Sequence, residues 1–191
     1  FVEPAADGVR AALAGRPDAR LVFTAHSIPT GMAVTAGPPP VTPPGRYVAQ
    51  LRESAALVAA AAAPDLPWDL VWQSRSGPPQ VPWLEPDVND HLAALADTGV
   101  TGVVVSPIGF VSDHLEVIWD LDNEAAATAK SRNLDFVRAA TPGTDPRFVA
   151  MVRELVLERV EGADTRPRLG SLPLWDTCPA DCCTPPARRP S

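Results

Sequence analysis

A chain of 191 residues with 46% hydrophobic content can bury a core of its own, and none of its apolar runs approaches the length that crosses a membrane. Its 16 basic and 23 acidic residues leave a net charge of −7, with no Lys/Arg cluster along a helix face, which argues against nucleic acid as a partner. The chain opens on Phe1 with no charged start, apolar segment and cleavage site in sequence. It therefore reads as a cytoplasmic protein without a secretory leader, beginning inside a longer polypeptide.

In chain order, 3–15 has apolar residues near helical spacing and ends at Gly15, so it reads as a helix. The run 19–27, ARLVFTAHS, has strand length. The stretch 37–45, GPPPVTPPG, reads as a surface loop, because proline fixes φ and lacks an amide proton. Residues 45–63 form a strong helical pattern stopped by Pro64. The order then repeats: a strand at 68–76, a proline-rich loop from Pro78 to Pro86, and a helix at 87–99 ending on Gly99. A third unit has a β-branched run at 101–110, suited to a strand buried on both faces, followed by a helix at 113–133. A weaker strand at 134–140 and a helix at 145–162 complete the ordered part. Alternating strands and helices predict an α/β fold, a Rossmann-like parallel sheet with helices on both faces, over 1–162. From 163 to 191 the composition turns to Pro, Arg, Gly and Cys, an irregular tail.

In open parallel sheets, ligands bind beyond the carboxyl ends of the strands. His26, the QSRSG run at 73–77 and the segment 107–116 all fall at such ends, which makes His26 and Glu116 candidates for one site. Taken alone, His26 is more simply a strand-end histidine satisfied by hydrogen bonds. Glu116, Asp120 and Glu124 are spaced i, i+4, i+8 and predict a carboxylate row on one helix face, where like charges repel. One reading is a capping box, with Asp113 at N-cap and Glu116 at N3, and a solvated acidic face. The other is a hard or borderline divalent cation held by carboxylate and imidazole, favoured because no Lys or Arg lies between residues 76 and 129. The three cysteines, Cys178, Cys182 and Cys183, are too few and too close for a disulfide framework and read as a set of ligands.

Three ordered blocks resemble the ferrochelatases: LVFTAHSIP its histidine strand, WQSRSGPPQVPWLEPDV its QS-x-x-G and P-W-L-G-P stretch, and SPIGFVSDHLEVIWDLDNE its G-F-x-x-D-H-x-E segment with an acidic helix. The resemblance implies the type II chelatase fold and, since that family is about twice as long, the C-terminal domain of the enzyme, with an N-terminal half as its missing partner. It implies Fe²⁺ insertion into a porphyrin in haem biosynthesis, with His26 and Glu116 as the essential pair and Asp120 and Glu124 on an outward path for metal or protons. It also implies Trp83 as the cleft tryptophan against the porphyrin. Asp113 and His114 fit the rest of the D-H-x-E motif, whereas Glu85 stands where that family carries glycine. The Ala/Pro/Arg-rich composition and tail cysteines resemble actinobacterial members, which implies coproporphyrin III as substrate. The alternatives are protoporphyrin IX, or a porphyrin or metal-binding module without catalysis. Some ferrochelatases carry a [2Fe–2S] cluster on three C-terminal cysteines and one upstream, so the resemblance implies Cys178, Cys182 and Cys183 as three of its ligands, against a reduced, irregular tail.

Overall fold

The structure is a computed structural model that describes residues 1–38, 43–162, 166–173, 175 and 177–183. Part of the expected proline-rich loop (39–42) and much of the expected tail lie outside the described residues. Four strands, β1 (Arg20–His26), β2 (Trp68–Gln73), β3 (Gly102–Ser106) and β4 (Asp135–Arg138), form one all-parallel sheet in the order β2-β1-β3-β4. The chain leaves β1 for β2 on one side and returns past β1 to β3 on the other. The strand order therefore reverses beside the carboxyl end of β1, where such sheets open a crevice.

The alternation of side chains along each strand feeds two cores. Leu21, Phe23 and Ala25 of β1 and Val104 of β3 pack on one face with Val9, Val48 and Val58. Val22, Val103 and Val105 point to the other face, against Leu92, Val117, Leu121 and Ala129. The first face is covered by α1 (Val2–Leu13) and α3 (Arg46–Ala62), the second by α4 (Val88–Asp97) and the helices after β3. Every residue of β3 is buried, as the β-branched run predicts. The expectation of a parallel sheet covered on both faces holds.

Two elements differ from the sequence reading. A short helix, α2 (Thr30–Thr35), follows His26 with no helical periodicity to announce it. The expected 113–133 helix is three pieces: α5 (Leu115–Val117), a π-helical segment Ile118–Ala125, and α6 (Ala126–Ser131). Its N-cap is His114, so Asp113 does not form the capping box with Glu116. Asp113 and Asp122 instead share Arg138 at the end of β4, whose Nε lies 2.6 Å from Asp122 Oδ1 and Nη1 3.0 Å from Asp113 Oδ1. The last helix, α7 (Pro146–Glu161), starts at the cap of Asp145 and stops at the left-handed Gly162.

Candidate active site

β1 ends on His26 with its side chain 34% exposed, directly opposite Gln73 at the end of β2. One ring nitrogen is committed: Nδ1 faces the Ser27 carbonyl, an oxygen that can only accept, so Nδ1 carries the proton. In the neutral imidazole the free lone pair then sits on Nε2. That atom stands 3.2 Å from Glu116 Oε1. Two acceptors at this distance need a proton or a cation between them, which makes the pair a place to receive either. The backbone carbonyl of His26 is held by the Tyr47 hydroxyl at 2.7 Å, and the Tyr47 ring stacks on Trp72 with centroids 6.0 Å apart. Burial pushes the Tyr47 phenol above its ordinary value, so it remains a donor at neutral pH.

Glu116 is brought to His26 by the turn that follows β3. Gly109 donates to the Thr24 carbonyl at 3.1 Å and lies so close to β1 that a Cβ there would stand 2.6 Å from the Cβ of Ala25. The π-helical segment then brings residues five apart together: Trp119 Nε1 donates to Glu124 Oε1 at 3.2 Å, and Asn123 Nδ2 to the Ile118 carbonyl at 3.1 Å. Asp120 faces the end of β2, where Gln73 Nε2 donates at 3.2 Å and the Ser74 hydroxyl donates from a residue with φ of 63°. Glu116, Asp120 and Glu124 thus turn to different partners, His26, Gln73 with Ser74, and Trp119, and among the described residues no Arg or Lys forms an ion pair with any of them. Nor is any group of three or more His, Cys, Asp or Glu among the described residues arranged to hold a metal ion. Of the four, only His26 and Glu116 face each other, while Asp120 and Glu124 are engaged elsewhere.

Trp83 sits on the loop after β2, which is stitched to the chain leaving His26. Leu84 N donates to the Ile28 carbonyl at 3.0 Å, Thr30 N to the Pro82 carbonyl at 2.9 Å, and the Ser27 hydroxyl to the Leu84 carbonyl at 2.9 Å. The Trp83 indole leans over Gly77, and its buried Nε1 has no partner. Glu85 is exposed and lies 3.9 Å from Arg75. The segments that follow β1, β2 and β3 expose large apolar side chains: Met32 and Val34 on α2, Val81 on the loop after β2, Val111 on the turn after β3, Leu115 on α5 and Trp119 on the π-helical segment, with Leu115 at 80%. A flat apolar ligand would cover such side chains.

The profile of the family described as Ferrochelatase matches residues 1–160. The chain belongs to the ferrochelatase family. It is 53% identical over 202 residues to a coproporphyrin III ferrochelatase of Nocardia farcinica, covering 100% of this chain and 56% of that protein. Proteins of the same name from Streptomyces griseus and Mycobacterium marinum are each 50% identical, again over 100% of this chain and 54% of their own lengths. The chain thus spans about half the length of the curated ferrochelatases it matches. Among solved structures, a putative cobalamin biosynthesis CbiX protein from Marinobacter aquaeolei aligns with a TM-score of 0.45 at 15% identity, over 75% of this chain and 98% of that one.

In this ferrochelatase-family chain the tail cysteines pack beside the site. Cys178, Cys182 and Cys183 line one cavity of about 370 Å³ with Tyr47 and Gln50. Cys182 Sγ and Cys183 Sγ are 3.5 Å apart, and Cys183 Sγ accepts from Gly37 N at 3.2 Å. Burial, together with Cys183 and Cys178, pushes the Cys182 thiol up to about 12. A [2Fe–2S] cluster takes four protein ligands; the sequence contains three cysteines, and among the described residues they are not arranged as a metal-holding group. The tail is docked on α3: Glu53 accepts from Ser171 N at 2.6 Å and Leu172 N at 3.2 Å, and the Arg46 guanidinium lies 4.3 Å above the Trp175 ring and donates to the Pro173 carbonyl.

Sequence reasoning singled out His26, Glu116, Asp120 and Trp83, and all four stand at the carboxyl edge of the sheet. It passed over Gln73, Ser74 and Tyr47 as site residues. The first two lie inside the QSRSG run, which was placed at the strand ends without a role for either side chain. Tyr47 looks like an ordinary aromatic near the start of a helix.

Proposed function

We propose that the chain is the C-terminal half of a ferrochelatase that inserts Fe²⁺ into a porphyrin in the cytoplasm, with coproporphyrin III favoured over protoporphyrin IX because the relatives at 50–53% identity carry that substrate in their names. The observation that carries the reading is the pairing of His26 Nε2 with Glu116 Oε1 at 3.2 Å at the carboxyl edge of the sheet. Insertion exchanges two pyrrole N–H protons for one Fe²⁺, so a site must take up two protons while the metal enters the ring. His26 Nε2 carries a lone pair beside a carboxylate, the arrangement of a proton acceptor. Each member of the pair can take one proton or contact the iron. Asp120 and Glu124, farther along the same helical stretch, offer a path for protons leaving or metal arriving. Trp83 forms one wall of the porphyrin cleft.

Cys178, Cys182 and Cys183 supply three ligands of a [2Fe–2S] cluster, the fourth coming from the part of the enzyme outside this chain. Iron and acid-labile sulfide in stoichiometric amount, with visible charge-transfer bands, are expected in the full-length protein. Their absence from anaerobically prepared protein rejects the cluster.

The test of the main reading is metallation by the full-length protein, with coproporphyrin III and protoporphyrin IX compared at equal concentration. The expected result is faster insertion into coproporphyrin III, abolished by His26→Ala with porphyrin binding retained. Turnover close to normal in that variant overturns the assignment of His26. Tight porphyrin binding without insertion in the unaltered protein identifies a binding module instead.

A further inference from the structure

Gln73 closes β2 with only 1% of its surface exposed, and it is tied to both sides of the site. Its backbone carbonyl accepts at 2.7 Å from the amide of Ser27, the residue after His26, and its side-chain Nε2 donates to Asp120 Oδ2 at 3.2 Å. The amide oxygen Oε1 is buried and has no hydrogen-bond partner among the described residues. Burying an unpaired carbonyl is unfavourable, and an apolar side chain of similar size would fill the space without it. Among the described residues, the polar contact this side chain gains in return is the bond to Asp120. Ser74 adds a second donor to the same oxygen, because its left-handed backbone, with φ of 63°, turns the chain out of the sheet with the hydroxyl toward Asp120 Oδ2.

The three aspartates from 113 to 122 are held in two ways. Asp113 and Asp122 meet the Arg138 guanidinium, which offsets their charge as it binds them. Asp120 is bound by an amide and a hydroxyl, neutral donors that fix an oxygen and leave the negative charge in place. Both grip Oδ2, and Oδ1 has no hydrogen bond among the described residues. We propose that Gln73, assisted by Ser74, is a positioning residue for Asp120: it pins one carboxylate oxygen and so presents the other, still charged, to the Fe²⁺ or proton that passes His26 and Glu116. The inference rests on the reading of the chain as a ferrochelatase with Asp120 on that path. Gln73 itself meets neither metal nor porphyrin. Its main chain also holds the peptide that follows His26, so the aim of Asp120 is set relative to the imidazole and not by the helical segment alone.

Two measurements test the assignment. In the 191-residue chain, NMR reads the Gln73 side-chain amide, with an Nε2 proton protected from exchange in the parent and released in Asp120→Ala. An amide unchanged by that substitution overturns the contact. In the full-length protein, kcat and KM for Fe²⁺ and for coproporphyrin III are measured for Gln73→Leu, Asp120→Ala and the double variant. Gln73→Leu is expected to lower kcat/KM for Fe²⁺ about tenfold with KM for the porphyrin unchanged, and to add less than roughly twofold once Asp120 is replaced. Losses that multiply in the double variant mean that Gln73 acts other than through Asp120 and overturn the proposal. Ser74→Gly removes the hydroxyl and keeps the left-handed backbone without strain, so it decides the question should Gln73→Leu fail to fold. It should lower kcat/KM for Fe²⁺ about threefold, and a variant with no loss overturns the clamp. A parent that does not metallate coproporphyrin III sinks the ferrochelatase reading and this inference with it, whereas metallation with multiplying losses sinks this inference alone.

Discussion

The Tyr47 hydroxyl donates to the backbone carbonyl of His26 across 2.7 Å, so α3 holds the peptide that carries the site's only histidine on β1. Removing the hydroxyl leaves that carbonyl without its donor and the ring of Tyr47 still stacked on Trp72. Tyr47→Phe is expected to cost about 1 kcal/mol in urea unfolding, the usual net worth of a hydrogen bond. Its effect on metallation by the full-length protein should be larger, on the order of tenfold in kcat with KM little changed, because the reacting imidazole loses its position and the porphyrin wall does not. An unchanged kcat would detach Tyr47 from the site.

Gly109 has no room for a methyl group. Its added Cβ would stand 2.6 Å from Ala25 Cβ and 2.9 Å from Ala25 Cα, and the backbone atom cannot swing aside. Gly109→Ala should destabilise the protein by about 1–3 kcal/mol, the usual range for overpacking. Thermal unfolding followed by circular dichroism reads the loss, and a variant as stable as the parent contradicts the close approach of this turn to β1.

Arg138 is a fork between Asp113 and Asp122, which tie the turn after β3 to the π-helical segment. Its charge is held above the ordinary arginine range, chiefly by Asp122, with Asp113 adding to it. Arg138→Ala is expected to lower stability by about 1–2 kcal/mol, modest because both acids are partly open to solvent. Arg138→Lys should recover less than half of that, since an ammonium cannot serve two carboxylates as a planar guanidinium does. Full recovery by lysine would reduce the fork to a simple charge effect.

Glu53 holds the tail through a carboxylate that accepts from the Ser171 hydroxyl and from two backbone amides, contacts that lower its affinity for protons. A carboxyl depressed in the folded state contributes at pH above its unfolded value and loses that contribution as pH falls through the folded one. Docking of 166–173 is therefore complete at neutral pH and weakens on acidification below about 4.3, the ordinary glutamate value. Trp175 reports it, because release from Arg46 changes the emission of the indole. Glu53→Gln should show the released spectrum, wholly or in part, at neutral pH, and a spectrum insensitive to both acid and substitution would refute the latch.

The alternation of strands and helices was legible because β-branched runs such as 103–105 and helical repeats such as 45–63 are dictated by local chemistry. Strand ends were read too long at β2 and β3. Ser74 leaves the sheet with positive φ, and the 107–110 turn folds back so that Gly109 lies on β1. The short α2 carries Gly31 and β-branched Val34 and Thr35 in six residues, so no propensity announced it. The π-helical segment was beyond local reasoning. Its acids are sorted by partners distant in sequence, Arg138 for Asp122, and Gln73 and Ser74 for Asp120. The His26–Glu116 pairing was legible only once the strand ends were recognised as a shared edge.

The hydrogen bonds that stitch 27–30 to 82–84 have a mechanical consequence for the cleft. They make the histidine and the tryptophan parts of one stiff plate, so a ligand leaning on Trp83 transmits its push to the peptide of His26. Such a plate cannot open on one side alone. Whatever enters the crevice must either fit the distance already set between the indole and the imidazole, or bend to it.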